Sequence, residues 1–154
     1  MTNVLHQDQL AKQLPLLPRE NILVEPVGRN TAPCIGLAAL WVQRVDPDGV
    51  MIVLPADHLI RSQDEFLRVI RTATSVAQES GALVTIGIRP THPETGFGYV
   101  QYDDAPEGNP YHNRETYTVK SFAEKPNLET AERFLASGDF LWNSGIFLWK
   151  ASTI

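Results

Sequence analysis

The sequence predicts an α/β fold built on a parallel central sheet. The first observation is an alternation in which three short apolar runs, residues 21–26, 50–54 and 82–88, are separated by segments with helical spacing. Two strand–helix–strand units of this kind form right-handed crossovers, which place their strands parallel in one sheet. The second observation is a change after Arg89, where the apolar residues begin to alternate as in hairpin strands.

The first elements follow from the apolar pattern and from capping residues. Residues 21–26 form a short strand, and the next segment has helical spacing. Asn30 or Thr31 can cap this helix, and Pro33 suits its first turn because a missing N–H costs nothing there. Residues 50–54 are a continuous apolar run, which is typical of a strand covered on both faces.

The later elements are predicted in the same way. Residues 82–88 form the third strand, and the Pro-, Gly- and Asn-rich residues 104–113 form the loop of a hairpin. A short helix begins after Asn127 and ends at Gly138, and residues 140–150 form a final aromatic strand. The helix before the third strand has a buried stripe made of Phe66, Val69, Ile70, Ala73, Val76 and Ala77.

Composition excludes several classes of function. The 154 residues are 43% hydrophobic and 20% charged, as in one globular domain. The net charge of −5 argues against sequence-independent nucleic-acid binding. There is no apolar run of membrane-spanning length and no signal-peptide core, so we expect no membrane partner and a cytoplasmic location. The single cysteine, Cys34, excludes an internal disulfide framework and a cysteine-based zinc site.

The stretch "VMIVLPADHLI" carries a carboxylate just beyond a strand. Ligands of open parallel sheets bind outside the carboxyl ends of the strands, and Asp57 follows such an end. A carboxylate there is a natural ligand for Mg²⁺, which prefers oxygen and is usually shared with substrate phosphates. Asp57 can equally cap the turn or the next helix, and both interpretations stay open. His58 is expected to make a structural hydrogen bond.

The stretch "EPVGRNTAP" has features that fit a guanine nucleotide. Glu25 ends a strand, and an ionised carboxylate accepts two hydrogen bonds side by side, which matches the N1–H and exocyclic amine of guanine. Gly28 permits close backbone approach. The amides of Asn30, Thr31 and Ala32 point out of a helix N-terminus. The alternative is an ordinary capped turn with Glu25 as a surface charge.

Three further stretches, "PTHPETGFGYV", "SFAEKPN" and "LWNSGIF", supply polar groups. Gly96 and Gly98 let main chain approach a polyhydroxylated ligand, or simply belong to a loop before a hairpin. Glu124 can accept hydrogen bonds from sugar hydroxyls, and Lys125 suits a phosphate. Strand alternation sends these two side chains to opposite faces unless the strand is irregular. Asn143, if buried, needs a ligand or neighbouring backbone as partner.

These five stretches, in this order and spacing, resemble the mannose-1-phosphate guanylyltransferases over about residues 21–150. The resemblance implies a Rossmann-like, GT-A-like nucleotidyltransferase fold, a three-layer sandwich with a mixed, mainly parallel sheet. It also implies the family's reaction, in which GTP and mannose 1-phosphate give GDP-mannose and pyrophosphate with Mg²⁺ as cofactor.

The resemblance also implies roles for individual residues. Asp57 is expected to hold Mg²⁺ and Lys125 the sugar phosphate, and both are the expected catalytic residues. The other positions form binding sites for the nucleotide and for the sugar phosphate. They are Glu25, Gly28, Asn30, Thr31 and Ala32 for the nucleotide, and Gly98, Glu124 and Asn143 for the sugar.

The chain departs from the family pattern in two places. A glycine-rich loop of the form "GGxGxRLWPxSR" and a second metal-binding aspartate downstream of "WNSG" do not occur in it. We therefore expect residues 1–154 to be a partial nucleotidyltransferase domain, truncated at both ends, with little or no turnover by itself. Strand edges left unpaired by missing strands would favour a homo-oligomer.

Two other functions stay open at this level. The first is a pyrophosphorylase for another sugar or nucleotide, which Glu25 discriminates because guanine needs an acceptor for its donor pair. The second is a non-catalytic nucleotide- or sugar-sensing domain, which needs neither the metal aspartate nor the lysine of "EKP". A glycosyltransferase with an Asp-x-Asp metal site is excluded because "PADH" has one acid.

Overall fold

The computed structural model describes residues 1–154 and divides them into two compact units. The first unit comprises Met1–Met51 and Lys150–Ile154, and the second comprises Ile52–Trp149. Each unit contains a hydrophobic cluster of its own. No helix in the chain combines the length and the apolar character needed to cross a membrane.

The strands and helices alternate along the chain, with the final strand the longest. The strands are β1 Thr2–Asn3, β2 Val24–Glu25, β3 Val50–Val53, β4 Val84–Ile88, β5 Tyr99–Asp103, β6 Thr118–Ala123 and β7 Phe140–Lys150. The α-helices are α1 Gln7–Gln13, α2 Thr31–Val45, α3 Gln63–Ser80 and α4 Leu128–Ser137. Short 3₁₀ turns occupy Arg19–Asn21, His112–Arg114 and Ala151–Thr153.

The first unit is organised around α2 and a short parallel strand pair. β1 and β2 pair in register Thr2 with Val24, which adds a parallel pair that the sequence did not predict. Ala39 of α2 packs in one cluster with Met51 and Ala151. Burial of these small and flexible apolar side chains holds the helix against the ends of β3 and β7 within the unit.

Two of the predicted strands differ in the structure. β2 is shorter than expected because Arg19–Asn21 form a 3₁₀ turn before it, and Pro26 has no N–H with which to continue the pairing. β3 is covered on one face: Met51 is buried, whereas Ile52 is 42% exposed. Successive side chains of a strand point to opposite faces. The expectation of a strand covered on both faces was therefore wrong.

β7 is the central strand of the five-stranded sheet. The sheet has the order β3–β7–β5–β6, and β4 also pairs with β7. The ladders of β7 with β4 and β5, and of β5 with β6, are antiparallel. The parallel β1–β2 pair forms a separate two-stranded sheet, so β2 does not share the sheet of β3 and β4 as the strand–helix–strand pattern predicted. β4 does not pair directly with β3, because β7 takes the position beside each of them.

The polar letters "NSG" within β7 form a bulge. The β4–β7 ladder shifts its register after Thr85, and Gly145 has the left-handed φ of 72° that such an irregularity requires. The hydroxyl of Ser144 donates to the carbonyl of Ile86 at 2.6 Å and accepts from the amide of Ile146 at 3.2 Å. Neighbouring backbone therefore satisfies this buried serine, and no ligand is needed for it.

The helices follow the sequence closely. The side chain of Asn127 accepts from the amide of Thr130 at 2.9 Å, and Gly138 ends α4 with φ 78°, so both predicted ends are confirmed. Asn30 is the N-cap of α2, but its side chain makes no capping hydrogen bond. The predicted stripe of α3 faces inward. Its buried residues are Ile70, Ala73, Val76 and Ala77, and Phe66 and Val69 are half-buried.

Candidate active site

Three of the predicted sugar-binding residues adjoin one another in the second unit. The amide of Asn143 donates to the carbonyl of Gly98 at 2.8 Å. A Cβ at Gly98 would lie 3.2 Å from Oε2 of Glu124 and 3.6 Å from Cβ of Asn143. A side chain here would crowd the carboxylate of Glu124, whereas its contact with Asn143 would be an ordinary one. The three residues and Lys125 are called the sugar-phosphate cluster below.

Lys125 joins the cluster through an irregular backbone. β6 ends at Ala123, and Lys125 has φ 37°, a left-handed value that costs a non-glycine residue about 1–3 kcal/mol. Its Nζ lies 3.3 Å from Oε1 of Glu124, and the two side chains are 64% and 76% exposed. The sequence predicted that Glu124 and Lys125 would point to opposite faces unless the strand were irregular. The backbone is irregular at Lys125, and the two side chains contact each other.

The "LPADH" segment packs against the bulge of β7. A Cβ at Gly145 would lie 3.3 Å from Cγ of Pro55. The amide of Gly145 in turn donates to Oδ1 of Asn143 at 3.1 Å. A chain of direct contacts therefore runs from Pro55, two residues before Asp57, to the sugar-phosphate cluster.

Asp57 is available as a metal ligand but has no protein partner. It lies in the turn after β3, is exposed, and makes no hydrogen bond or ion pair. No group of three or more His, Cys, Asp or Glu side chains is arranged to hold a metal. A single exposed carboxylate fits Mg²⁺, which commonly binds one or two carboxylates and completes its shell with water and substrate phosphates. His58 is exposed and does not make the expected hydrogen bond.

The predicted nucleotide-binding residues lie in the first unit. Glu25 is half-buried at the end of β2. Asn30 has φ 69° and ψ −176°, and its uncommitted side chain leaves the amides of Thr31 and Ala32 without a side-chain cap. A Cβ at Gly28 would meet nothing within 4 Å. These groups therefore remain open to a ligand, and their expected convergence with Asp57 and Lys125 stays a prediction.

The sequence reasoning missed an electrostatic link between Cys34 and Glu25. Cys34 lies in the first turn of α2, where the carboxylate of Glu25 acts on its thiol. Burial raises the pKa of the Cys34 thiol, and the negative charge of Glu25 raises it further. The helical position of Cys34, one turn from the "RNT" segment, was a signal that it faces the same loop.

Glu94 was also missed, although it lies within the quoted "PTHPETGFGYV" stretch. Its Oε1 accepts the amide of Gly96 at 2.7 Å, and its Oε2 lies 3.4 Å from Nε2 of His92. These bonds lower the pKa of the Glu94 carboxyl, and the Gly96 amide is the main cause. The sequence contains no standard turn signal for Glu94, because the side chains that commonly bond main chain two residues on are those of Asn, Asp, Ser and Thr.

The cavity of the second unit, about 600 Å³, is lined by none of the predicted site residues. It lies between α3, β4, β5 and the loop before β6. Two arginines line it, and both are paired: Arg68 lies 2.7 Å from Glu65 and 3.0 Å from Glu115, and Arg114 lies 2.9 Å from Glu79. Paired guanidinium groups offer no free charge to a phosphate, so the cavity does not serve the predicted chemistry.

The chain is similar in sequence to known nucleotide-sugar enzymes. The mannose-1-phosphate guanylyltransferase of Escherichia coli K12 is 47% identical over 153 residues, which covers 97% of this chain and 31% of that protein. The chain thus spans about a third of the length of this curated relative. The resemblance drawn from the five stretches of sequence is confirmed.

Solved structures agree with this similarity. A mannose-6-phosphate isomerase from Helicobacter pylori is 34% identical with a TM-score of 0.76, over 98% of this chain and 54% of that one. A structure described as mannose-1-phosphate geranyltransferase from Thermus thermophilus is 31% identical with a TM-score of 0.74, over 96% and 40% of the two chains. The predicted α/β nucleotidyltransferase fold is confirmed. The sequence profile described as "Nucleotidyl transferase" matches residues 2–154, and this chain belongs to that family.

Proposed function

We propose that this chain is part of an enzyme that transfers GMP from GTP to mannose 1-phosphate, forming GDP-mannose and pyrophosphate. The observation that carries the proposal is the sugar-phosphate cluster, in which Gly98, Glu124, Lys125 and Asn143 adjoin one another. The 47% identical Escherichia coli relative, a mannose-1-phosphate guanylyltransferase, supports the choice of both substrates.

The cluster offers both kinds of hydrogen-bonding group that a sugar needs. Oδ1 of Asn143 is used by the amide of Gly145, which leaves the side-chain NH₂ free to donate to a sugar oxygen. The carboxylate of Glu124 accepts from sugar hydroxyls. Gly98, lacking a side chain, lets the sugar ring approach the main chain. The exposed ammonium of Lys125 is left to bind the phosphate.

The transfer itself needs positioning and positive charge rather than covalent catalysis. An oxygen of the sugar phosphate attacks the α-phosphorus of GTP, and a new P–O bond forms. The bond from the α-phosphorus to the bridging oxygen breaks, and pyrophosphate leaves with its electron pair. Lys125 holds the attacking phosphate and offsets its charge. Mg²⁺, when bound at Asp57, supplies positive charge against the phosphate oxygens of GTP.

The first unit supplies the nucleotide site in this proposal. Glu25 accepts the N1–H and exocyclic amine of guanine, and the exposed amides of Thr31 and Ala32 donate to the nucleotide. Adenine and the pyrimidines do not offer that donor pair. Glu25 therefore selects GTP over the other nucleoside triphosphates.

Calorimetric titration of the chain tests the proposal. GTP and mannose 1-phosphate are titrated separately, with and without Mg²⁺, into the unmodified chain and into Glu25→Gln. We expect the substitution to weaken GTP binding at least about tenfold, because one of two hydrogen bonds to a charged acceptor is lost, and to leave mannose 1-phosphate unaffected. Tighter binding of another nucleotide or sugar phosphate would instead support a different pyrophosphorylase.

Turnover separates an enzyme from a sensing domain. Pyrophosphate release is followed with GTP, mannose 1-phosphate and Mg²⁺ present. We expect little or no turnover from this chain by itself, because its sequence has no glycine-rich loop with an arginine to hold the triphosphate. Binding of both substrates, with turnover restored in a protein that carries such a loop, is the expected result. Binding without turnover even then would favour the sensing function.

A further inference from the structure

We propose that Glu94 is a positioning residue that holds the loop of residues 91–98 beside the sugar-phosphate cluster. The positioning itself is argued from the contacts of Glu94. Its expected effect on mannose 1-phosphate binding rests on the proposed function. Glu94 is not one of the residues that the proposal assigns to either substrate, and it acts through the residues that it holds.

Glu94 is fixed by both its main chain and its side chain. Its carbonyl accepts from the hydroxyl of Tyr99 at 2.9 Å, and Tyr99 is completely buried. Its carboxylate accepts from Gly96 and lies beside His92, as described above. Because the main chain is anchored to the core, the carboxylate has little freedom, and the two groups it binds are held in turn.

The residues that Glu94 holds lead directly to the cluster. The His92 ring packs edge-on against Trp142, with ring centroids 5.0 Å apart, and Phe97 packs against the same indole at 5.4 Å. Trp142 is followed by Asn143, whose amide bonds to Gly98 in this loop. The loop therefore contacts β7 at Trp142 and again at Asn143. Glu94 connects the two parts of the loop, because it contacts His92 in the first part and Gly96 in the second.

The glycine at position 96 lets the carboxylate of Glu94 approach the main chain closely. A Cβ there would lie 3.2 Å from Oε1 of Glu94, which is tighter than an ordinary contact. A Cβ at position 96 would displace the carboxylate by a few tenths of an ångström and lengthen the hydrogen bond of 2.7 Å. Gly96→Ala thus tests the same contact from its other side.

The experiment compares Glu94→Ala, Glu94→Gln and the control Glu107→Ala in the full chain. Glu107 is exposed and makes no hydrogen bond or ion pair. Mannose 1-phosphate and GTP are titrated calorimetrically. We expect Glu94→Ala to weaken mannose 1-phosphate about tenfold and GTP less than about twofold. Glu94→Gln recovers most of the affinity, because its amide oxygen still accepts from Gly96. Glu107→Ala changes neither affinity.

A second measurement is independent of the substrate. The indole N–H resonance of Trp142, assigned with Trp142→Phe, should move in Glu94→Ala and Gly96→Ala and stay unchanged in Glu107→Ala. An unmoved resonance overturns the inference whether or not mannose 1-phosphate binds. A moved resonance without any binding of mannose 1-phosphate by the unmodified chain upholds the positioning and refutes the proposed function. If circular dichroism shows that Glu94→Ala is unfolded, Glu94→Gln and Gly96→Ala carry the test. Wild-type affinity of Gly96→Ala for mannose 1-phosphate would then overturn the inference.

Discussion

The second unit has two charged regions, and they differ in how their charges are used. Around the cavity between α3 and the loop before β6, Arg68 forms a two-pronged pair with Glu65 and a second pair with Glu115. In the sugar-phosphate cluster, Lys125 has one neighbour, the exposed Glu124 at 3.3 Å. The cavity has the volume, whereas the cluster has a cation with a single, longer ion pair and the side-chain NH₂ of Asn143, which makes no hydrogen bond within the chain. Uncommitted donors and acceptors, more than volume or charge density, mark the place where a phosphate can bind.

Backbone strain also distinguishes the predicted site residues from the surroundings of the cavity. Three non-glycine residues have positive φ, and two of them, Asn30 and Lys125, are predicted site residues. The third, Glu115, has φ 57° and ψ 38° and ends a short 3₁₀ turn, a left-handed conformation that is common at such ends. Asn30, with ψ −176°, lies in a region that is nearly exclusive to glycine. Strain that no local turn explains therefore coincides with the predicted function.

The largest expected effect is the loss of affinity on removing the cation of the sugar-phosphate cluster, compared with removing one cation beside the cavity. Lys125→Met should weaken mannose 1-phosphate binding about ten- to hundredfold, because a charge-assisted phosphate contact is lost. Arg68→Met should leave this affinity unchanged and lower the melting temperature slightly, because exposed ion pairs contribute little. Calorimetry and thermal unfolding measure both. Equal loss of affinity in the two variants would abolish the distinction between the regions.

Gly87→Ala tests the strand contact that the two regions share, because Gly87 lines the cavity and pairs with Asn143 of the cluster. A Cβ at Gly87 would clash with Cδ1 of Leu141 and lie 2.8 Å from its Cβ, so the strands must move apart. We expect the free energy of unfolding to fall by about 1–3 kcal/mol. Gly36→Ala is the matched control. Gly36 lies in α2, and a Cβ there would contact no neighbouring atom within 4 Å. Urea unfolding gives both values, and a stable Gly87→Ala chain would contradict the close β4–β7 approach.

Asn30→Gly and Glu115→Gly sharpen the comparison of strain. Asn30→Gly should stabilise the chain by up to about 1 kcal/mol, because glycine adopts the observed backbone without penalty. Glu115→Gly should give no gain, since its conformation is mild and the contact with Arg68 is lost. Urea unfolding again provides the measurement. A greater gain at position 115 would reverse the assignment of strain.

The smallest effect concerns Cys34. The charge of Glu25 raises the thiol pKa, so Glu25→Gln should lower that pKa and increase the thiolate fraction at pH 8. Alkylation should become several-fold faster, while still slower than for an unhindered thiol, because burial is the larger cause of the raised pKa. Glu20→Gln, an exposed neighbour in the chain, is the control. An unchanged rate would remove Glu25 from the surroundings of Cys34.

Several parts of the fold and of the candidate site were predictable from neighbouring residues. Asn127 and Gly138 bound α4 as expected, because capping depends on groups within one turn. The sugar-phosphate cluster was named residue by residue through the resemblance. Glu94 and Cys34 were not, because their partners become apparent only when loop and strand are folded together.

The sequence by itself determined the ends of α4, the inward stripe of α3, the polar residues of "WNSG" and the protein family. The helix features depend on contacts within a few residues, and the family follows from the order of the sequence motifs. Only the tertiary structure decided that β7 runs beside β3, β4 and β5, that its bulge brings Asn143 to Gly98, and that Lys125 turns toward Glu124. The register between strands distant in sequence depends on the packing of the whole sheet, and periodicity along one strand carries no information about it.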